Sequence, residues 1–310
     1  MAKIFIDGSA GTTGLRIRER LEAREDIEII TLSDEERKDT AARARALNES
    51  DVAFLCLPDD AARESVSFIE NDNTVVIDTS TAHRTLEGWC YGFPELSPAF
   101  EEKLKTAKRI AVPGCHASGF IALVYPLIEK GIISPTALLT CHSITGYSGG
   151  GKKMIAEYES EDRAEIYDAP RQYALGQTHK HLPEIVKVTG LENAPVFCPI
   201  VSDYYSGMVV TVPVFKSQLN DGFTVEDIKN VYKEKYTGEI VKYSESISES
   251  GLISANTLSF NDSMQITVEG NEDRILLIAR YDNLGKGASG AALECMNIAM
   301  GASPCEMLDI

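Results

Sequence analysis

Residues 111–120, AVPGCHASGF, place Cys115 after a small apolar run and a Pro-Gly break, just before a new apolar segment. A helix that begins at this point lowers the pKa of a thiol, because its dipole and its N–H groups stabilise the thiolate. The thiolate is the nucleophilic form, and an ordinary cysteine with a pKa of about 8.5 forms little of it at neutral pH. The other cysteines lie in apolar runs or in helical and turn contexts, where packing explains them: Cys56, Cys90, Cys141, Cys198, Cys295 and Cys305. Position therefore favours Cys115 as a nucleophile.

A nucleophilic thiol also needs a base. The chain has five histidines: His83, His116, His142, His179 and His181. In THKHLPEI, residues 178–185, His181 and Glu184 are three positions apart and share a face if a helix begins there. A carboxylate in that place orients the imidazole and stabilises its cation, which favours His181 as the acid/base, with His179 as the alternative. His-x-His is also a metal-binding pattern, but no further ligands stand at a recognisable spacing, so no metal is expected.

Three glycines stand between a first strand and a first helix. In FIDGSAGTTG, residues 5–14, Gly8, Gly11 and Gly14 follow an apolar run and precede a helical pattern. Glycine lets the backbone approach a pyrophosphate, and the helix N-terminus offers N–H donors to it. The spacing is G-x-x-G-x-x-G rather than the commoner G-x-G-x-x-G, and a tight turn without a ligand is the alternative. The strand–turn–helix context favours a dinucleotide site.

The end of the second strand indicates which dinucleotide binds. The strand predicted over residues 27–33 ends in Ser33, and Arg37 and Lys38 follow it. An NAD-binding chain usually has an acid there for the ribose 2′-hydroxyl, whereas a serine with nearby cations suits the 2′-phosphate of NADP. The three acids at positions 34–36 count against a phosphate, and a solvated charged turn is the alternative. The pattern favours NADP.

Strands and helices alternate through the first third of the chain. Apolar runs predict strands over residues 3–7, 27–33, 51–58, 74–80 and 109–114, and helices over 14–23, 60–70 and near 97–106. Continuous apolar strands that alternate with helices are typical of a doubly wound, Rossmann-like parallel sheet, an α/β fold. In the first helix we expect Leu15, Ile17 and Leu21 to face the core.

The pattern changes beyond residue 130 to one rich in strands. An apolar helix over residues 120–131 carries Pro126, which should kink it, and strands are predicted over 137–147, 195–201, 207–215, 264–270 and 274–282. The clearest further helix, 224–238, has a Thr224/Asp227 capping-box pattern and a stop at Gly238. This indicates a second α+β domain with a mostly antiparallel sheet.

The domain boundaries follow from the last segment. Residues 283–301 form a glycine-rich turn and an apolar helix that should return to the first domain, while 244–250, SESISES, should be an exposed loop. We expect a dinucleotide-binding domain over 1–115 and 284–310, and a catalytic, substrate and dimerisation domain over 116–283.

Charge and cysteine usage exclude several classes of partner. The 310 residues carry a formal net charge of −17, which disfavours nucleic acid and anionic membranes but allows a small anion in a local basic pocket. No signal peptide or membrane-spanning run is apparent. Seven cysteines without C-x-x-C spacing suit a reducing compartment, so a cytoplasmic protein is expected.

Seven stretches in order along the chain resemble a known family. They are DGSAGTTG, VIDTSTAHRT, YGFPEL, VPGC, ITGYSGGGKK, THKHLPEI and DNLGKGASGAA. These stretches resemble the N-acetyl-gamma-glutamyl-phosphate reductases of arginine biosynthesis, and in particular their shorter subfamily. The wider superfamily includes aspartate-semialdehyde dehydrogenases and phosphorylating glyceraldehyde-3-phosphate dehydrogenases.

The resemblance implies a reaction and a set of site residues. The reaction is the NADPH-dependent reductive dephosphorylation of N-acetyl-glutamyl 5-phosphate to its 5-semialdehyde, through a thioester on Cys115 and with His181, or else His179, as acid/base. A homodimer or homotetramer is expected. The residues expected to line the cofactor phosphates are Gly11, Thr12, Thr13 and Gly14. Those expected to border the nicotinamide and the substrate are Ser148, Gly149, Asn283, Gly285 and Gly287, and the candidates for the phosphate pocket are Arg84 and Lys152.

One departure from the family bears on the substrate. Many members have Tyr-Pro-Thr after the nucleophile, whereas this chain has His116-Ala117-Ser118. The change could alter the pKa of the thiol or the fit of the substrate. The alternatives are aspartate-semialdehyde dehydrogenase, the aminoadipate analogue of lysine biosynthesis, and a non-catalytic NADP-binding redox sensor. A sensor would not need a thiol at a helix start, a base–acid pair and a phosphate pocket together.

Overall fold

The computed structural model describes all 310 residues, and the chain forms two units. The first comprises Met1–Pro94, Pro98–Gly114 and Ala288–Leu308, and the second comprises Glu95–Ser97, Cys115–Gly287 and Asp309–Ile310. The boundaries expected from the sequence put Cys115 and residues 284–287 in the first domain. The structure groups them with the second unit instead, so that the predicted thiol and the glycine-rich turn belong to one body.

The first unit is built on a six-stranded, all-parallel sheet in the order β2-β1-β3-β4-β6-β5. Its strands are β1 (Ala2–Asp7), β2 (Ile27–Ile30), β3 (Val52–Leu55), β4 (Val75–Asp78), β5 (Cys90–Tyr91) and β6 (Arg109–Ala111). Its helices before the chain leaves the unit are α1 (Thr12–Leu21), α2 (Thr40–Glu49), α3 (Asp59–Ser67) and α4 (Pro98–Thr106). The predicted doubly wound parallel sheet is confirmed. Strand β2 ends at Ile30, so Ser33 lies in the following loop rather than at the strand end.

Both faces of this sheet are covered, which explains its continuous apolar strands. Successive residues of a strand point to opposite faces, and Ile4 and Ile6 pack in one core cluster while Phe5 packs in the other. Ile17 and Leu21 of α1 are buried as expected. The expectation for Leu15 is wrong: its side chain is 45% exposed, because the buried stripe of α1 passes through Gly14, Ile17 and Leu21.

The second unit is built on a seven-stranded sheet in the order β11-β12-β13-β10-β7-β9-β8. Its strands are β7 (Thr140–Gly146), β8 (Arg171–Gln172), β9 (Val196–Ser202), β10 (Met208–Phe215), β11 (Val241–Tyr243), β12 (Met264–Gly270) and β13 (Arg274–Tyr281). Its helices are α5 (Cys115–Glu129), α6 (Gly151–Glu159), α7 (Leu182–Thr189) and α8 (Val225–Lys235). All neighbouring strands are antiparallel except the β11–β12 and β7–β9 pairs, so the predicted, mostly antiparallel sheet is confirmed.

Helix α5 packs against β10, β13, α7 and α8 and is buried along most of its length. The helix continues through Pro126 to Glu129. Proline has no N–H for the carbonyl four residues earlier, and the Tyr236 hydroxyl donates to that carbonyl, Ala122, at 2.6 Å. Tyr236 follows α8, whose predicted Thr224/Asp227 capping box is present. A tyrosine at the end of α8 thus satisfies the carbonyl that the proline leaves without its helical donor.

The opposite face of the second sheet carries exposed apolar side chains. Ile144, Val196, Phe215 and Leu276, here called the outer face, are all more than one third exposed. Cross-strand pairing places residues 144, 200 and 209 in one row and 213 and 276 in another. In the loop predicted to be exposed, residues 244–250, Ser244 is half-buried, Ile247 packs on Val209 and Ile278, and the other residues are exposed.

The chain then returns to the first unit through a turn of π-helix, Gly285–Ser289, and helix α9 (Gly290–Ala299). Leu293, Met296 and Ile298 of α9 join the core cluster that contains Ile4 and Ile6. Residues 288–308 thus belong to the first unit, whereas residues 283–287 of the predicted segment belong to the second. No helix of the protein has both the length and the apolar character needed to cross a bilayer.

Candidate active site

Cys115 is the first residue of α5 and is partly exposed. It follows the Pro113-Gly114 break after β6, as the sequence indicates. Its thiol therefore stands at the N-terminus of a 15-residue helix, where N–H groups and the helix dipole favour the thiolate. In contrast, burial raises the pKa of Cys56 to about 12 and raises that of Cys141 further. These two thiols stay protonated at neutral pH.

The glycine-rich segment after β13 lies against Cys115. A Cβ added at Gly287 would lie 3.1 Å from the Cβ of Cys115, and the amide of Gly287 donates to the Asp282 carbonyl at 3.0 Å. Within the same segment the Lys286 ammonium lies 2.7 and 2.9 Å from the two carboxylate oxygens of Glu95. A side chain at position 287 would crowd the Cα and Cβ of Cys115, so glycine allows this segment to approach the cysteine closely.

Asn283 contacts two of the other predicted residues, Ser148 and Gly149. Its amide Nδ2 donates to the Ser148 hydroxyl at 3.0 Å, and its Oδ1 accepts from the amide of Gly207 at 2.9 Å. A Cβ at Gly149 would lie 3.4 Å from Asn283 Nδ2. At Gly285 a Cβ would lie 2.1 Å from the Asn261 carbonyl oxygen, which only glycine allows. The structure thus brings Ser148, Gly149 and Asn283 together, while Gly285 serves the fold of the turn.

His116, the residue after the predicted nucleophile, lies at the centre of an aromatic cluster. Its ring centroid is 5.8 Å from that of His179, 5.7 Å from that of His181 and 5.4 Å from that of Phe197. The rings of His179 and His181 are 4.6 Å apart. The predicted histidine doublet and the residue beside the thiol therefore belong to one cluster. No group of three or more His, Cys, Asp or Glu side chains is arranged to hold a metal ion.

His116 uses both ring nitrogens in hydrogen bonds. Nδ1 lies 2.6 Å from the Ser143 hydroxyl, and Nε2 lies 2.6 Å from the Tyr173 hydroxyl. Burial, and secondarily His179, lowers the pKa of His116 to about 3. The imidazole is therefore neutral at physiological pH, with one nitrogen donating and the other accepting. A group with this pKa is poorly matched to proton transfer near neutral pH, so His116 positions its partners.

Tyr173 connects this cluster to the thiol. Burial, and then the nearby Cys115, raises the pKa of the Tyr173 hydroxyl well above its ordinary value. Tyr173 follows the short strand β8, and its amide donates to the Pro199 carbonyl of β9 at 3.1 Å. Sequence reasoning missed both Tyr173 and Ser143. Tyr173 is 57 positions and Ser143 27 positions from His116, and only the pairing of β7, β9 and β8 brings them near it.

His181 and Glu184 occupy the start of α7. The helix begins at Leu182, and His181 is its N-cap residue with αR backbone angles, so a helix starts at the position that the three-residue spacing requires. Both side chains are buried. The amide of His181 donates to Nδ1 of His179 at 3.2 Å, which fixes the two histidines relative to each other.

In the first unit, the turn between β1 and α1 has the features of a phosphate-binding turn. Gly8 has a positive φ of 90°, and a Cβ at Gly14 would lie 2.5 Å from the Gly8 carbonyl oxygen. Gly11 is the N-cap of α1 and supplies no side-chain cap. The Thr12 hydroxyl oxygen is buried and has no hydrogen-bond partner. A buried donor without a partner at a helix N-terminus fits a phosphate oxygen, so the turn fits a dinucleotide.

A cavity of about 230 Å³ opens between the ends of β1 and β2. Its lining includes Arg18, Arg37 and Arg43 but neither Ser33 nor Lys38. Each arginine is paired with a carboxylate: Arg18 with Glu22 at 2.7 Å, Arg37 with Asp34 at 3.0 Å and Arg43 with Asp7 at 3.0 Å. Of the residues predicted for the ribose end, the structure places only Arg37 at this cavity. The Ser33 hydroxyl donates to Glu36, and Lys38 is exposed.

The two cations predicted for the phosphate pocket have different surroundings. Arg84, in the first unit, donates to the carbonyls of Val112 at 2.8 Å and Thr79 at 3.0 Å, so that it ties the ends of β4 and β6. Lys152, in the second unit, is an exposed residue in the first turn of α6. The guanidinium of Arg84 thus stabilises the ends of two strands, whereas the ammonium of Lys152 faces solvent.

Two family models match the chain. Residues 3–106 match the semialdehyde dehydrogenase NAD binding domain, and residues 115–283 match the semialdehyde dehydrogenase dimerisation domain. Together they cover most of the chain. These matches confirm the prediction of a nicotinamide dinucleotide cofactor. They also confirm the prediction of an oxidoreductase that forms oligomers.

Solved structures share the fold at low sequence identity. A probable aspartate-semialdehyde dehydrogenase from Pseudomonas aeruginosa has a TM-score of 0.73 at 14% identity, with 96% of this chain and 98% of that chain covered. Aspartate semialdehyde dehydrogenase from Francisella tularensis has a TM-score of 0.72 at 13% identity, with 97% and 100% covered. These similarities establish the two-domain fold alone.

Relatives of much higher identity carry one name. The chain is 42% identical over 311 residues to N-acetyl-gamma-glutamyl-phosphate reductase 2 of Nostoc sp., covering 96% of this chain and 97% of the relative. It is 44% identical over 309 residues to N-acetyl-gamma-glutamyl-phosphate reductase of Chelativorans sp., covering 96% and 98%. The family indicated by the seven sequence stretches is confirmed by these matches over nearly the whole chain. With its thiol at a helix start, its histidine cluster and its dinucleotide turn, the chain belongs to the N-acetyl-gamma-glutamyl-phosphate reductase family.

Proposed function

We propose that this protein catalyses the NADPH-dependent reductive dephosphorylation of N-acetyl-glutamyl 5-phosphate to N-acetyl-glutamate 5-semialdehyde and phosphate, in arginine biosynthesis. The observation that carries the proposal is Cys115 at the N-terminus of α5 beside a cluster of three histidines, of which His116 and His181 are buried, in a member of this reductase family. As an enzyme of amino-acid biosynthesis, it is proposed to act in the cytoplasm.

Cys115 is the proposed nucleophile. Its thiolate attacks the acyl-phosphate carbonyl, the bond to the phosphate oxygen breaks, and an acyl thioester forms on Sγ. Backbone N–H groups at the start of α5 point out of the helix and are suited to the oxyanion that develops during attack. Dividing the reaction at a covalent intermediate makes each step easier than direct reduction of the acyl phosphate.

His181 is the proposed acid/base, and His179 is the alternative. The pKa of His116 is too low for this role, which leaves the doublet. The imidazole of His181 gives a proton to the hemithioacetal oxygen or assists its collapse to the aldehyde. Glu184, buried in the first turn of α7, is proposed to support the cationic form of that histidine.

The departing phosphate needs positive charge. Lys152 is the better candidate, because its ammonium faces solvent in the first turn of α6. Arg84 is the second candidate, and its guanidinium would have to bind the phosphate while it holds the carbonyls of Val112 and Thr79. An ammonium or a guanidinium stabilises a phosphate as a charge and as a hydrogen-bond donor.

The first unit is the proposed dinucleotide-binding domain, and the second is the proposed catalytic and dimerisation domain. Gly8, Gly11, Thr12, Thr13 and Gly14 would hold the pyrophosphate, and the bound dinucleotide supplies the hydride that reduces the thioester.

We assign NADP rather than NAD because Arg37 and two further arginines line the cavity beside β2. Arg37 pairs with Asp34 at the surface, an interaction weak enough to yield to a 2′-phosphate. Ser33 and Lys38 remain secondary candidates for the ribose end. Ser148, Gly149, Asn283, Gly285 and Gly287 remain candidates for the border of the nicotinamide and the substrate.

We propose a homodimer that buries the outer face. Isolated apolar residues are common on surfaces, but Ile144, Phe215 and Leu276 extend over adjacent strands of the domain that matches a dimerisation model. Light scattering should give twice the chain mass for the protein and a smaller mass for Ile144→Glu. A tetramer that Ile144→Glu reduces to dimers would show that the outer face is the second interface of a larger assembly.

The reaction is tested in the oxidative direction with the full chain. NADP⁺ and inorganic phosphate are supplied with three aldehydes in turn: N-acetyl-glutamate 5-semialdehyde, its aminoadipate analogue and aspartate semialdehyde. Formation of NADPH should depend on phosphate and should be fastest with the first aldehyde. Higher activity with another aldehyde would assign the substrate to it, and NADP binding without turnover would indicate the sensor.

Matched thiol variants test the covalent step. Cys115→Ser should lose activity by several orders of magnitude and keep NADP affinity, because a serine hydroxyl is scarcely ionised at neutral pH. Cys305→Ser, which removes another partly exposed thiol, should keep full activity. With acyl phosphate alone, mass spectrometry should show an acyl increment on the peptide that contains Cys115. Retention of most activity in Cys115→Ser would overturn the covalent mechanism.

A further inference from the structure

The side chain of Tyr281, the last residue of β13, is buried and its hydroxyl contacts the first turn of α5. The hydroxyl accepts a hydrogen bond from the amide of Gly119 at 3.0 Å and donates one to the carbonyl of Cys115 at 2.5 Å. These backbone groups are four residues apart and are direct partners in a regular α-helix. The hydroxyl therefore bridges the helical turn that begins with the thiol-bearing residue.

The local sequence makes room for this bridge. A Cβ added at Gly119 would lie 2.7 Å from the Tyr281 hydroxyl and 2.7 Å from Cγ2 of Val210. Glycine destabilises the interior of a helix relative to alanine. At position 119 the absence of a side chain leaves the space that the Tyr281 hydroxyl occupies. Six residues after Tyr281, Gly287 approaches the Cβ of Cys115. One short segment thus holds the backbone of Cys115 through a hydrogen bond and borders its side chain.

We propose that Tyr281 is a positioning residue for the nucleophile, and that its hydroxyl holds the Cys115 peptide so that Sγ keeps its alignment with the N–H groups of the helix start. The inference rests on the proposed function only in taking Cys115 as the nucleophile. Burial, and then Cys115, raises the pKa of Tyr281 well above its ordinary value, so the hydroxyl remains a donor at neutral pH.

The chain offers a matched control on the same helix. Tyr236 also donates a buried hydroxyl to a carbonyl of α5, that of Ala122, two turns further from the thiol. Removing this hydroxyl leaves the Ala122 carbonyl without a donor, because Pro126 has no N–H. When the Tyr281 hydroxyl is removed, the amide of Gly119 can donate its hydrogen bond directly to the carbonyl of Cys115. Tyr236→Phe should therefore cost more stability than Tyr281→Phe, and only Tyr281→Phe should affect the thiol.

The experiment compares the full-length protein with Tyr281→Phe and Tyr236→Phe. The rate of iodoacetamide alkylation is measured between pH 5 and pH 9 at the Cys115 peptide by mass spectrometry, together with Tm, kcat and KM. Tyr281→Phe should raise the midpoint of the profile about one pH unit, which slows alkylation about tenfold at pH values well below the wild-type midpoint. Its kcat should fall by a similar factor while KM and Tm change little. Tyr236→Phe should lower Tm and leave the alkylation profile unchanged.

Three results would overturn the inference: a wild-type alkylation profile in Tyr281→Phe, the same shift in both variants, or a Tyr281→Phe chain that does not fold. The last result would mean that the hydroxyl serves folding, since the first turn could not close its own bond. Alkylation requires no substrate. A protein inactive on every acyl phosphate would refute the proposed function and leave this comparison intact.

Discussion

Acidification should destabilise the second unit through His116. Burial, and secondarily His179, lowers the pKa of His116 from 6.5 to about 3 in the folded protein. The unfolded chain keeps the ordinary value, so between these two pH values it binds a proton that the folded protein does not bind. The free energy of unfolding therefore falls as the pH falls below about 6.5, by about 1.4 kcal/mol per pH unit. Between pH 7 and pH 5 the loss from this group is about 2 kcal/mol.

The variant His116→Gln isolates this contribution. Glutamine keeps a donor and an acceptor for Ser143 and Tyr173 but does not titrate. Both proteins are unfolded with urea at pH 7 and pH 5, and opening is followed by hydrogen exchange of peptides from α5. The single tryptophan, Trp89, lies in the first unit, so its fluorescence would report the wrong unit. The variant should be less stable than the parent at pH 7 and should lose about 2 kcal/mol less on acidification.

Equal losses in the two proteins would refute this reasoning. They would mean that His116 accepts a proton in the folded protein at pH 5, and hence that its cluster opens to water or rearranges. A larger loss in the variant than in the parent would contradict the sign of the pKa shift. Carboxylates elsewhere titrate alike in both proteins and cancel in the comparison.

Three further predictions concern turnover, the cofactor and a helix cap. His181→Asn should lower kcat about 10²- to 10⁴-fold with dinucleotide affinity unchanged, and Glu184→Gln should lower it less; a nearly neutral His181→Asn would assign the acid/base role to the other histidine of the doublet. Replacing Arg37 and Lys38 by alanine should weaken NADPH binding roughly tenfold or more in calorimetric titrations and leave NADH binding nearly unchanged, whereas equal losses would argue against a 2′-phosphate contact. Thr224→Ala removes the N-cap acceptor of α8 and should cost about 1 kcal/mol in urea unfolding; an unchanged midpoint would show that the cap adds nothing to the unit's stability.

Periodicity in the sequence was sufficient for the elements that bury large apolar side chains. Strands β1, β3 and β4 and helix α8 are apolar runs or amphipathic patterns with a clear start, and each was predicted. Helix α2 was missed because it buries mainly alanines, Ala42 and Ala46, whose small side chains give a weak periodic signal. Helix α6 was missed because it follows SGGG, which reads as a turn.

Some parts of the candidate site are local sequence patterns, and others depend on contacts between residues that are distant in the sequence. Cys115 and the glycine turn are local patterns whose chemistry follows from a strand–turn–helix context. The partners of His116 are not local, because Ser143 and Tyr173 come from β7 and from the residue after β8. The sequence showed His116 only as a departure from the family's usual tyrosine. Its role as a neutral bridge depends on burial, which composition does not reveal.

The discontinuous first unit sets an order for synthesis on the ribosome. Leu293, Met296 and Ile298 of α9 complete the core cluster that begins with Ile4 and Ile6, yet they are translated after the whole second unit. At 5–20 residues per second, the wait between residues 114 and 308 is roughly 10–40 s. During that interval the part of the sheet face that α9 covers remains exposed, and this apolar area is a surface for chaperones and for aggregation. The second unit is therefore synthesised almost entirely before the first unit is complete.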